Sequence, residues 1–344
     1  MFSEKKFLFK YSRYLCFTLI LSLTQGASAQ TLLTDYMSME NGNAGDVVTS
    51  ALAASATTGT SGVWSNANSS PSCPTTTTSG CTLKVSSAHV RPPRGDIKIG
   101  STVLPNTGST KSYVKKITNE TDQEYVDYIF NNPRPKKVSV GMFVYFSSDG
   151  DGWNGSWSDY YDLFTLTGNG GDNYLVLSVQ TTGGSDGTPL NLTLHTDVPP
   201  CNSGVHVADG TMDKWYWVTM LYDYSGSNRK SYMQIYDATT WTKLGQNACD
   251  QPSKPDASRN LWRVSVGQYD NHGNPTHNSD YYSDDLMIYA YNDADIASHT
   301  SDDPYCATTS ASCPGADPHF PLLPKIISGG GTTPSAPSNL RVLP

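Results

Sequence analysis

Charge is what this sequence most lacks. Only 16% of its 344 residues are Asp, Glu, Lys or Arg, against about a quarter in an average soluble protein. Glutamate is scarcest: Glu4, Glu40, Glu120 and Glu124 are the whole complement. Paired-carboxylate chemistry on late strands is therefore short of material. The 31 acidic residues outnumber the 23 basic ones, for a formal charge of −8. That balance excludes a nucleic-acid partner, which needs a basic surface. No apolar run reaches the length of a bilayer span; the longest clear one, residues 15–23, is too short. There is no Cys-x-x-Cys and no His-Glu-x-x-His, so neither a zinc ribbon nor a zinc protease has support. No internal repeat is visible.

What is present points first to export. Lys5, Lys6, Lys10 and Arg13 precede the short apolar run, and Ala27-Ser28-Ala29 forms a small-residue cleavage site. Residues 1–29 are read as a signal peptide. Its removal takes away four basic residues and one acidic one, moving the charge from −8 to −11. Cys16 lies inside the apolar run without the small residues that precede a lipidated cysteine, which argues against a lipoprotein. The expected location is secreted or extracellular, with the periplasm and cell surface as variants. Six cysteines remain, an even number suited to an oxidising compartment. Proximity pairs Cys73 with Cys81 and Cys306 with Cys313, and leaves Cys201 for Cys249. Fifteen connectivities are open to six cysteines.

Residues 30–305 read as one all-β domain. Short alternating or β-rich segments recur at 138–146, 161–167, 174–179, 190–194, 215–222, 232–236, 262–266 and 286–291. Gly/Asn/Ser/Asp clusters separate them, as at 168–171 and 183–187. Strands without intervening helices exclude βαβ winding and predict a sandwich or barrel. One helix is expected at 121–130, stopped by Asn131-Asn132-Pro133. Trp215 and Trp217 share one strand face while Tyr216 and Val218 share the other, so both faces should be covered. One of Asp284 and Asp285 should cap a turn. Residues 306–344 form a Pro/Gly/Ser-rich tail or linker.

Several segments resemble the concanavalin A-like (laminin G-like) lectin/glucanase superfamily. They are the run Val138–Phe146, the segment Asp213–Asp223 in which a Trp precedes an alternating strand ending in Tyr-Asp, the strand Tyr232–Asp237, Val264-Ser265-Val266-Gly267, and Tyr281–Tyr289 with its Asp pair. The resemblance implies a two-sheet antiparallel jelly-roll sandwich whose closing strand pairs with residues near 35–40. Pro337–Val342, in the tail, resembles the opening strand of a fibronectin type III module.

Glycan sites combine exposed aromatic faces with short polar side chains. Two stretches have that make-up. In the first, Trp153, Asn154, Trp157, Tyr160 and Tyr161 lie among glycines and aspartates. In the second, Tyr269, Asp270, Asn271 and His272 lead on to Tyr282. Both are expected to be loops beside strand ends. Asp149, Asp151 and Asp159 make Ca2+ a candidate, although the twelve-residue hand loop is absent. The expected function is non-catalytic binding of a polysaccharide or other surface. The first alternative is a polysaccharide lyase or glycoside hydrolase with a non-obvious site. For a lyase, His195, Arg263, Gln268, Tyr269 and Tyr282 are the right residue types. Glu-x-Asp-x-x-Glu, which jelly-roll glucanases carry, is absent. The second alternative is a structural surface protein that associates with itself or another extracellular protein through strand edges.

Overall fold

The structure, a computed structural model, describes residues 34–65, 83–93, 97–99, 102–104, 109–117, 124–149, 160–168, 174–181, 190–196, 204–223, 229–240, 242–251, 261–272 and 279–291. The chain divides into residues 1–31 and residues 32–344, and every described residue belongs to the second unit. The signal sequence and the tail lie outside the described residues.

In chain order the elements are β1 (Asp35–Met37), α1 (Ser50–Ser55), β2 (Thr57–Gly59), β3 (Gly62–Ser65), β4 (Leu83–Ser86), β5 (Ile97–Ile99), β6 (Thr102–Leu104), β7 (Ser112–Ile117), β8 (Glu124–Phe130) and β9 (Lys137–Phe146). There follow β10 (Tyr160–Gly168), β11 (Tyr174–Thr181), β12 (Leu190–Thr196), β13 (Val205–Gly210), β14 (Lys214–Asp223), β15 (Arg229–Asp237), β16 (Lys243–Gln251), β17 (Leu261–His272) and β18 (Ser279–Tyr291). Sheet A runs β16-β15-β14-β9-β18-β1-β2, with β7 also on β18 and β4 on β7. Sheet B runs β13-β12-β11-β10-β17-β8-β3. All their pairings are antiparallel, and the chain crosses repeatedly from one sheet to the other, as in a jelly-roll sandwich.

All eight strands expected from periodicity are present. The expected pairing of the N-terminal strand with the closing strand is also present, as Tyr36 opposite Met287. The expected helix at 121–130 is instead β8. Val126, Tyr128 and Phe130 alternate into the core, and a strand of aromatic and β-branched residues buries them at period two where a helix would scatter them. The polar strands β13 and β16 gave no clear pattern in sequence. They meet along one edge of the sandwich, where a Cβ on Gly245 would come within 1.8 Å of the Val207 carbonyl oxygen.

The core between the sheets takes Val140, Met142, Val144, Val218, Met220, Ile235 and Ile288 from sheet A. Sheet B supplies Phe164, Leu166, Leu177, Val179, Leu192, Leu194, Val264 and Val266. Sheet A also buries its other face. Tyr36, Phe143, Tyr145, Trp215, Trp217, Tyr236, Tyr282 and Met287 form a second cluster there, as the two-faced aromatic pattern of β14 predicted.

Asp284 and Asp285 do more than end a turn. Both are fully buried at a register irregularity in β18. Arg91 Nε lies 2.6 Å from Asp285 and 3.6 Å from Asp284, and Tyr36 donates its hydroxyl to Asp285. Asp284 accepts from Ser109 Oγ at 2.5 Å and from the Asp285 amide at 2.8 Å. Burial, then the neighbouring Asp285, push the Asp284 carboxyl well above its ordinary value against the pull of Arg91. A raised folded-state value means stability is fully present below the unfolded value near 4 and falls as pH rises through the folded one. Asp284→Asn should remove that slope while keeping the acceptor for the Asp285 amide. Thermal melts at pH 5 and pH 8 should therefore differ less in the variant than in wild type. Equal differences would show that Asp284 does not titrate in this range.

Candidate functional site

The face of sheet B turned away from the core is polar. On β17, Arg263 and Ser265 alternate with the core residues Val264 and Val266; on β8, Asp127 alternates with Val126 and Tyr128. Register sets Ser265 directly between Asp127 and Thr165. The same row continues through Val176 to His195 on β12.

Asp127 is fully buried, and charge-assisted bonds offset part of that burial. It accepts from Arg263 Nη1 at 2.6 Å and from Ser265 Oγ at 2.5 Å. The guanidinium also lies 5.6 Å from the Tyr125 ring centroid. Burial raises the Asp127 carboxyl above its ordinary value, while Arg263 and Ser265 pull the other way. Thr165, Thr167, Ser178, Thr193 and His195 complete a face of buried hydroxyls and one imidazole. Such a face offers hydrogen bonds in a sheltered setting.

The row separates the lyase candidates. His195 stands three strand spacings from Ser265, or about 14 Å at roughly 4.8 Å per strand. Arg263 and His195 thus cannot act on one atom as a hydrogen-bonded pair. Tyr282, another of the five, is on sheet A.

The two stretches with glycan-site make-up are brought together by register. Tyr160 pairs with His272, Tyr161 with Asn271 and Asp162 with Asp270, so the start of β10 lies beside the end of β17. The second stretch is therefore strand, not loop, through Tyr269, Asp270, Asn271 and His272. The hydrogen-bond ladder with β10 on one side accounts for the difference. Trp153, Asn154 and Trp157, along with Asp151 and Asp159, lie outside the described residues. Tyr282 sits in β18 on the outer face of sheet A, almost wholly buried, so it is not a free stacking platform. Asp149 is exposed there, 3.7 Å from His89 Nε2. Among the described residues no three His, Cys, Asp or Glu side chains form a metal cluster. Cys249, in β16, is disulfide-bonded; Cys73, Cys81, Cys201, Cys306 and Cys313 lie outside the described residues.

Sequence reasoning overlooked the Asp127–Arg263–Ser265 group. The signal was slight: one Asp in an apolar segment taken for a helix, and one Arg among strand residues. Glu120, Asp122 and Glu124 stand at alternate positions in the sequence, and the glutamates were noted only for their scarcity. Glu124 opens β8 with its backbone opposite Gln268, and residues 118–123 lie outside the described residues.

No family model and no curated protein matches this chain. Among solved structures it is similar to an alginate lyase from a Chlorella virus, with TM-score 0.35 and 10% identity over 67% of this chain and 93% of that one. A GH131 beta-glucanase catalytic domain from Podospora anserina gives TM-score 0.34 and 14% identity, covering 54% and 74% of the two chains. A seed lectin of Lotus tetragonolobus gives 0.33 and 9%, covering 52% and 88%. The jelly-roll assignment rests on strand order and register, not on these likenesses.

Proposed function

We propose that this is an exported glycan-binding jelly-roll protein and that it takes a polysaccharide along β10 and β17 without cleaving it. One observation carries the reading. The β10–β17 register puts Tyr160 and Tyr161 beside Asn271 and His272, uniting two segments that each have the residue types of a sugar site. Trp153 and Trp157, on the segment leading into β10, add the stacking rings. Arg263, held by Asp127 farther along the same sheet, is buried and belongs to the support of the sheet, not to the binding surface. The roughly 14 Å between Ser265, on the strand that carries Arg263, and His195 argues against one reacting centre formed by β17 and β12.

A glycan-array screen, run with calcium and with chelator, tests this. Wild type should bind one class of polysaccharide, and Trp153→Ala/Trp157→Ala should lose at least tenfold in affinity with an unchanged melting temperature. Full affinity in that folded double variant would remove the assigned site. New reducing ends, or an ultraviolet-absorbing unsaturated product, would convert the reading to a hydrolase or a lyase.

A further inference from the structure

The outer face of sheet A carries a second arrangement that the glycan reading does not use. Where β9 ends and β14 and β18 begin, Tyr145, Trp215 and Tyr282 come together. Ring centroids are 5.4 Å apart for Tyr145 and Trp215, and 5.8 Å for Tyr145 and Tyr282 at nearly right angles. His89 fills the angle between the tyrosines. Its imidazole stacks on Tyr145 at 4.3 Å and meets the edge of Tyr282 at 4.7 Å.

Carboxylates rim this seat. Asp149 lies 3.7 Å from His89 Nε2. Asp213 accepts from the Tyr145 hydroxyl at 3.2 Å and from the Ser148 amide at 2.9 Å. Although desolvation opposes it, these bonds hold Asp213 below its ordinary carboxylate value. Burial and then Asp213 push the Tyr145 phenol up to about 12, so the ring stays neutral. Asp280 lies 3.5 Å from the Tyr282 hydroxyl. Against these three, Lys116 stands 3.4 Å from Asp280, and Lys214 is 2.5 Å from Asp237.

We propose that this seat binds a cationic group, the free amine of an amino-sugar unit in the polysaccharide, and that His89 holds its place when it is empty. The class of ligand follows from the walls. Aromatic faces attract cations, and the nearby carboxylates reject anions. An ammonium on a pyranose presents both a charge and an apolar ring face. Among the described residues, the His89 ring is what packs between the two tyrosines. The backbone beside it is pinned, since the His89 carbonyl accepts from Ser112 Oγ at 2.7 Å and Arg91 reaches Asp285. Rotation about the His89 side chain opens the seat without moving a strand.

The proposal rests on the glycan reading but uses a different face, so the two can fail separately. The probes are a glucosamine tetramer and its fully N-acetylated counterpart, titrated by calorimetry into the full chain. His89→Ala should bind the glucosamine tetramer about tenfold more tightly than wild type and the acetylated one no better. Asp149→Asn in the His89→Ala background should lose most of that gain. No gain in a folded His89→Ala protein, or an equal gain for the acetylated tetramer, would overturn the proposal while leaving the tryptophan result untouched. A second measurement needs no variant. The His89 ring protons, shifted by the Tyr145 ring current in wild type, should move toward exposed values under saturating glucosamine tetramer. Unmoved resonances would overturn the proposal as well.

Discussion

Asp127→Ala is expected to destabilise the fold by about 3–5 kcal/mol, the usual cost of taking one partner from a buried ion pair. In a domain this large that lowers the melting temperature by on the order of 10 °C. Arg263 would keep its place on a closed face without the carboxylate that takes its Nη1 hydrogen bond at 2.6 Å. Ser265 would lose its acceptor in the same step. Asp127→Asn should cost less, because an amide oxygen still accepts from Ser265 while the charge is gone. Urea unfolding of the three proteins measures the series. A loss under about 1 kcal/mol in the Ala variant would show that the pair does not behave as a buried one. Because the pair is buried, a folded Asp127→Asn protein should keep its polysaccharide affinity.

This group also shows where sequence reading stops. Apolar alternation is a local property, so eight strands, and the two-faced aromatic pattern of Trp215 and Trp217, were legible from single segments. Register is not local. Nothing in Glu124–Phe130 alone says that Asp127 will stand opposite Ser265, more than 130 residues later. With that partner unknown, nothing in the segment opposed the helix reading. The same holds for Arg91, which is sealed against Asp284 and Asp285 from far along the chain. The candidate site was half legible. Residue types marked Tyr160, Tyr161 and Tyr269 to His272, but only pairing of β10 with β17 made them neighbours. Tyr282 was misjudged because an aromatic ring looks equally available in sequence whether it ends exposed or closed beneath His89.

Gly141→Val should damage sheet A severely. A Cβ at Gly141 would stand 2.1 Å from Trp217 Cζ2 and 2.7 Å from Cη2. The indole is fully buried and lies over β9 in the space that a side chain at residue 141 would take. It has no free direction, since Phe143 packs on it at 4.9 Å between centroids. Overpacking of this kind costs about 1–3 kcal/mol in tolerant cores, and a branched side chain against a closed indole belongs at the upper end. Trp217→Leu alone should also destabilise, by leaving a cavity. The double variant should lose clearly less than the two single losses together, because each change removes what the other lacks. Strict additivity would mean that the glycine and the indole are not coupled. The coupling reaches the cationic seat: Trp217 packs on Phe143, Phe143 stands 6.5 Å from Trp215, and Trp215 lies 5.4 Å from Tyr145. A Gly141→Val protein that still folds should therefore show a displaced Tyr145 and a reduced ring-current shift on His89, even though residue 141 touches neither.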